Sequence, residues 1–241
     1  MTPLSQFKVL TFDCYGTLID WERGICDALR PWLNRNGPPI DDEALLAAFA
    51  RIEKVVEGET PELPYPQVLR ATYARLAESL SMPSDAASAY ALADSIGDWP
   101  AFADSPDALQ RLKRRYKLVI LSNVDRSSFA RSNQRLGVEF DAIITAEDVG
   151  SYKPAMGHFT RAAELFKKWG VNPEEWLHVA QSLFHDHAPA KSIGLATAWI
   201  DRRRGRAGTG ATPAIRLATP PDWSTATLGE FADLVDASFG G

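Results

Sequence analysis

At 241 residues the chain is long enough for one or two domains with a core of useful size. Its 45% hydrophobic and 24% charged content is that of a globular protein, which excludes a disordered chain, a collagen-like chain and a disulfide-framework miniprotein. A formal net charge of -5, from 26 Lys+Arg against 31 Asp+Glu, gives no global attraction to nucleic acid or anionic lipid, so the expected partner is a small molecule. Two cysteines, Cys14 and Cys26, are too few for a disulfide framework and fit a reducing cytoplasm. The opening residues lack a basic n-region and a long apolar h-region, so no signal peptide is expected. No run approaches the ~18 apolar residues of a membrane span.

The first element is the apolar run Phe7 to Phe12, a strand that feeds the turn Asp13-Cys14-Tyr15-Gly16-Thr17. Four sets of apolar residues at helical spacing follow: Ile25, Leu29, Trp32 and Leu33; Leu45, Phe49, Ile52 and Val56; Leu69, Tyr73, Leu76 and Leu80; Ala89, Leu92, Ala93 and Ile96. Pro and Gly clusters separate them, so residues 20–98 read as an all-helical block. Helices and strands then alternate. Ser105-Pro106 starts a helix, and the strand Lys117 to Leu121 follows. A second helix ends at Gly137, before the strand Ala142 to Thr145. A helix carrying Phe159, Ala162, Ala163 and Phe166 precedes the strand Trp176 to Ala180. Helix 187–194, the strand Leu195 to Ile200 and a last helix, Leu228 to Phe239, complete the chain. The basic, glycine-rich stretch Asp201 to Gly210 lacks a P-loop ending and reads as a solvated loop.

Such alternation predicts an α/β fold: a Rossmann-like parallel sheet with helices on both faces, interrupted by an inserted all-helical cap domain. The predicted core is residues 1–19 and 99–241, and the predicted cap is residues 20–98.

Open α/β sheets bind ligands beyond the carboxyl ends of their strands. Strand one ends in Asp13, Tyr15 and Thr17. Strand two ends in Ser122 and Asn123. Strand three leads to Lys153-Pro154, and strand four to Gln181, Ser182 and Asp186. Each has an ordinary reading by itself: a turn aspartate, a helix N-cap, a solvated lysine. Their recurrence at four successive strand ends points to one site.

This pattern resembles the haloacid dehalogenase-like superfamily over nearly the whole chain. The motifs are Asp13 with Thr17, then Ser122, then Lys153-Pro154, then Asp186 with downstream Ala190 and Gly194-Leu195. Phosphatases of the superfamily carry a second Asp where this chain has Tyr15, and a metal-binding Asp where it has Gln181. Tyrosine is a poor acid near neutral pH, and an amide is a weak substitute for a carboxylate on Mg²⁺. The sequence is more similar to the metal-independent type II (S)-2-haloacid dehalogenases, in Asp13 to Leu18, Leu121-Ser122-Asn123, Tyr152-Lys153-Pro154 and Trp199-Ile200-Asp201-Arg202.

The resemblance implies a hydrolase that needs no cofactor and displaces halide from short 2-haloalkanoic acids. Asp13 would attack carbon to form an ester, Lys153 would keep Asp13 ionised, and Asp186 would orient the hydrolytic water. Tyr15, Thr17, Ser122, Asn123 and Ser182 would bind substrate, and Arg51 would receive the leaving group from the cap. A homodimer is expected on the same ground. Departures from the family pattern stand at Leu183, in place of a halide-contacting Asn, and at Phe159, in place of Tyr. An atypical phosphatase and a catalytically degraded binding protein are the competing readings. His185 and His187 flank Asp186 but are expected to point apart, so no metal site is assigned. Cys14 reads as apolar filler, and Trp21 as either pocket wall or core.

Overall fold

The computed structural model describes residues 2–213 and 215–240. Six parallel strands form one sheet in the order β3-β2-β1-β4-β5-β6. They are β1 (Val9–Phe12), β2 (Lys117–Ser122), β3 (Ala142–Thr145), β4 (Trp176–Ala180), β5 (Ala196–Ile200) and β6 (Trp223–Thr225). Side chains alternate across the strands. Leu10, Phe12, Leu118, Ile120, Leu177 and Val179 pack into a core shared with the helices α5 (Ser105–Lys113), α6 (Arg126–Leu136) and α10 (Leu228–Phe239). Val9, Val119, Leu121 and Trp176 face the other way, toward α8 (Gly157–Trp169) and α9 (Ala188–Ser192). Burial on both faces is why the strands read as continuous apolar runs rather than as alternating ones.

Between β1 and α5 the chain makes four helices: α1 (Trp21–Asn36), α2 (Asp42–Glu59), α3 (Tyr65–Ser79) and α4 (Ala86–Asp94). Asp20, Asp41 and Asp85 cap three of them, each accepting from the backbone N–H three residues on. The chain leaves and re-enters the sheet side by side, with Asp20 N–H donating to Pro100 O at 2.8 Å and Phe102 N–H to Leu18 O at 3.0 Å. A one-turn helix, α7 (Ala146–Val149), follows β3 behind a capping box made by Thr145 and Asp148.

The expected elements are present, with shifted ends. The first strand begins at Val9 and the fifth at Ala196. The helix expected over 187–194 is a π turn, Leu183–His187, running into the short α9. The three-residue β6 carries no periodic signal and was not expected. The stretch after β5 is tied down where solvation was expected. Arg202 donates twice to Thr17 O, at 3.1 and 2.8 Å, and pairs with Asp104 at 2.7 Å. Arg203 bridges to Glu22 on α1 and Glu43 on α2, fastening this segment to the inserted helices. No helix among the described residues is long and apolar enough to cross a membrane.

Candidate active site

Asp13 stands one residue past β1, and its backbone N–H donates to Val179 O at 3.2 Å. The chain then turns sharply, since Cys14 O accepts from the N–H groups of Thr17, Leu18 and Ile19. Gly16 permits the turn. Its φ is +93°, and an added Cβ would lie 2.9 Å from Trp21 Nε1. The turn folds Thr17 back onto its own nucleophile candidate: Thr17 Oγ1 donates to Asp13 Oδ2 at 2.7 Å.

Lys153 supplies the other half of the cradle. Its Nζ donates to Asp13 Oδ1 at 2.9 Å, to Asp186 Oδ1 at 2.7 Å and to Leu121 O at 2.8 Å. An ammonium has three hydrogens, and all three are placed. Asn123 fixes this lysine from behind, its Oδ1 accepting from Lys153 N at 2.7 Å and its Nδ2 donating to Lys153 O at 3.2 Å. Lys153, Asp13 and Asp186 are all buried. Burial alone would push the Lys153 ammonium down, but the two carboxylates override it and hold its pKa above the usual lysine value. The two acids divide unequally. Burial would raise Asp186, yet the Lys153 charge and the His178 hydrogen bond hold it well below the ordinary carboxylate range. Burial raises Asp13, and Lys153 and Thr17 only partly offset that.

These groups open into a cleft with about 470 Å³ of free space, its mouth included. Asp13, Tyr15, Ser122, Asn123, Lys153, Ser182 and Asp186 line it, so seven of the expected site residues meet there. Their tasks differ from the expectation in several places. Thr17 is fully buried and does not line the cleft; it serves Asp13 and accepts from Gln181 N at 2.9 Å. The Tyr15 hydroxyl is engaged with Ser132 Oγ at 2.8 Å, so its ring is what faces the cleft. Ser182 caps the π turn, accepting from His185 N at 2.9 Å. Ser122 Oγ is buried with no partner, which leaves it free for a ligand.

Arg51 is a correction. It is exposed on α2 and lines a separate cleft with Lys54, Thr209 and Pro213. From the inserted helices the site receives Glu53, Glu57, Tyr65 and Trp21 instead. A helix advances about 100° per residue, so Arg51 and Glu53 lie on nearly opposite faces. Glu53 sits on the buried stripe with Phe49, Ile52 and Val56, and accepts from the Tyr65 hydroxyl at 2.7 Å. Burial pushes Glu53 up to about 7, against the pull of that hydrogen bond. Burial, and then the Glu53 charge, push Glu57 well above the usual range. The signal was available in the sequence: two carboxylates four apart on an otherwise apolar stripe.

His178 was also missed. It lies in the middle of β4, fully buried, with Nε2 3.1 Å from Asp186 Oδ1. The other histidines near Asp186 diverge. His185 lines the cleft, its pKa pushed down to about 4 by burial, while His187 Nε2 turns away to Ala180 O at 2.9 Å. Among the described residues no three His, Cys, Asp or Glu side chains are grouped so as to hold a metal ion.

Comparison with known proteins places the chain in a family. A family model described as haloacid dehalogenase-like hydrolase matches residues 7–194. The chain is 27% identical to an (S)-2-haloacid dehalogenase of Pseudomonas putida, over 84% of this chain and 88% of that one. It is 26% identical to an (S)-2-haloacid dehalogenase of Pseudomonas sp. (strain YL), over 98% of each. Its fold superposes with a TM-score of 0.76, at 21% identity, on the L-2-haloacid dehalogenase of Xanthobacter autotrophicus with chloropropionic acid covalently bound, covering 95% of this chain and 98% of that one.

Proposed function

The chain belongs to the haloacid dehalogenase-like hydrolase family, and from that premise we propose that it is a metal-independent hydrolase that displaces halide from a small organic substrate through an ester on Asp13. The observation that carries the reading is the cradle of Asp13. Both its oxygens are held, by Thr17 and by Lys153, at the wall of the cleft. Tyr15 stands where a phosphatase would place its second carboxylate, and burial raises its phenol well above 10. It therefore stays protonated and does not shuttle protons near neutral pH.

In the proposed cycle an Asp13 oxygen attacks the carbon, and halide leaves with the bonding electron pair. Holding the carboxylate in line with a bound carbon can lower the barrier by roughly 7–11 kcal/mol. Water then attacks Asp13 Cγ, the product oxygen departs with its carbon, and Asp13 is regenerated. The covalent adduct named for the Xanthobacter enzyme supports this order of events, and the two Pseudomonas relatives make short (S)-2-haloacids the first substrates to try. We also propose residues 20–98 as a cap over a core of 1–19 and 99–241, and a homodimer as the assembly, which light scattering tests.

Glu53 and Glu57 favour a second reading of the substrate. They face the cleft, while its one lining cation, Lys153, has every hydrogen placed on the protein. A carboxylate substrate would need both acids to hold their protons, as their burial favours, whereas a neutral halide such as an amide or alcohol is accepted in either state.

The deciding experiment is a single turnover in ¹⁸O water with enzyme in excess, run on chloropropionate and on its amide. The expected product is unlabelled, with the label in the peptide containing Asp13. Label in the first-turnover product would overturn the ester mechanism. Turnover abolished by EDTA and restored by Mg²⁺ would revive the phosphatase reading.

A further inference from the structure

Behind Asp186 lies a line of buried polar groups that the proposed cycle does not yet use. Trp176 Nε1 donates to Thr11 Oγ1 at 2.7 Å, Thr11 Oγ1 lies 2.8 Å from His178 Nδ1, and His178 Nε2 lies 3.1 Å from Asp186 Oδ1. Thr11 and His178 are fully buried on the α8 side of the sheet. The edge of Phe159 closes over the imidazole with ring centroids 5.1 Å apart.

With the imidazole neutral, the chemistry of the two ends fixes every hydrogen between them. An indole N–H only donates, so Thr11 must accept from Trp176. An ionised carboxylate only accepts, so His178 Nε2 must carry a hydrogen toward Asp186. A neutral imidazole has only that one N–H, so its Nδ1 accepts, and the remaining Thr11 hydrogen goes there. The ring is thereby held in one tautomer and one orientation.

The consequence falls on Asp186. Its Oδ1 receives both Lys153 and His178, while its Oδ2 is buried without a partner, on a residue that lines the cleft. Without His178 the carboxylate could rotate about the Lys153 contact and spread its acceptor capacity over both oxygens. With His178 in place, one oxygen is saturated and the other kept open for a donor entering from the cleft.

Resting on the ester reading above, we infer that His178 is a positioning residue for the second half of the reaction: with Thr11 and Trp176 it locks Asp186 so that Oδ2 takes a proton from the hydrolytic water. In that step the water oxygen bonds to Asp13 Cγ and one water proton moves to Asp186 Oδ2. The bond from Cγ to the product oxygen then breaks, its electron pair leaves with that oxygen, and the Asp186 proton follows it. The second water hydrogen stays on the regenerated Asp13 carboxyl, which ionises. The first half, attack on carbon with loss of halide, draws on Asp13, Thr17 and Lys153 and not on His178.

The test separates the two halves. Thr11→Val and His178→Phe remove one link each, while Thr11→Ser and His178→Gln keep a hydroxyl and an N–H donor. Rapid-quench halide release reports attack, and intact-protein mass reports ester on Asp13. Expected for Thr11→Val and His178→Phe is a halide burst near the wild-type rate. Ester should then accumulate and hydrolyse about ten- to a hundredfold more slowly, the worth of one hydrogen bond to a charged group. The two conservative variants should recover much of the loss. Parallel loss of both halves, or loss of neither, would overturn the role. Nitrogen-15 NMR of the unliganded wild type gives an independent readout, with His178 expected as the Nε2–H tautomer; a hydrogen on Nδ1 alone would also overturn it. Wild-type enzyme that releases no halide and forms no ester would count against the ester reading itself, and that result is distinct from either of these.

Discussion

Lys153 is the residue on which the site's charge balance turns. It joins two buried carboxylates through one ammonium, 2.9 Å from Asp13 and 2.7 Å from Asp186. Removing one partner of a buried ion pair typically costs about 3–5 kcal/mol, because the other charge is left uncompensated. Lys153→Met is therefore expected to abolish turnover and to lower stability by that order, read by urea unfolding. A second expectation concerns pH. In the proposed cycle Asp13 attacks as its carboxylate, and burial raises it above its ordinary carboxylate value. Activity should fall on the acid side at a pH higher than an ordinary aspartate would give, and a pH profile of kcat/KM measures it. Arg51→Ala should leave kcat/KM within about twofold, as exposed substitutions usually do, since Arg51 is exposed and outside the cleft. Asp13, Lys153 and Asp186 were legible from sequence because the topology of a parallel sheet gathers its strand ends. Arg51 was misplaced because its assignment rested on chain position, whereas the face of a helix is decided by a rotation of 100° per residue. His178 was invisible for another reason. A histidine inside an apolar strand signals burial, and only the cross-strand register that sets Thr11 beside it reveals a partner.

Among the elements, the segment after β5 contributes more than its composition suggests. Arg202 has a largely covered side chain that stacks 4.1 Å from the Phe102 ring centroid and holds Thr17 O while paired to Asp104. It therefore clamps, from the far end of the sheet, the turn that presents Asp13. Arg202→Ala should strand the Thr17 carbonyl and the partly exposed Asp104 carboxylate. Its expected cost is about 3 kcal/mol, the low end for a broken buried pair, with a fall in kcat as the turn loosens; unfolding and steady-state kinetics check the two parts. Arg202→Lys keeps the charge but loses the planar fork, so it should recover little. Glycine and basic residues made this stretch read as solvated, since nothing local announces partners that lie far away in sequence. The long elements were better marked. Apolar spacing located α1 to α4, and Gly137, with φ +63°, ended α6 where expected. The π turn at Leu183–His187 was missed because its one extra residue per turn alters no composition signal.

At the scale of the whole molecule, the sheet order explains why so many ionisable groups converge. The chain runs from β1 outward through β2 and β3, then returns to lay β4 against the other side of β1. The crevice at that reversal is where α/β sheets place ligands, and the inserted helices close it with Glu53 and Glu57. A site built this way imposes opposing demands on folding as pH changes. Asp186 is held below its ordinary value, so its contribution to stability is present above the unfolded pKa near 3.9 and is lost on acidification. Glu53 is the reverse case. Burial raises it from 4.5 to about 7, so the fold favours its protonated form. The stability this gives is full below 4.5 and is lost as pH rises toward 7, where the fold must either bury a charge or keep a proton that the unfolded chain would release. The midpoint of thermal unfolding should therefore peak in the mildly acidic range and decline toward neutrality. Glu53→Gln keeps an oxygen to accept from Tyr65 but cannot ionise, so it should flatten the decline between pH 4.5 and 7 while leaving the acid limb in place. Melting curves recorded across that range for both proteins decide it. An unchanged slope in Glu53→Gln would show that Glu53 does not carry the alkaline loss, and would point to Glu57, beside it at the mouth, as the group whose ionisation the fold resists.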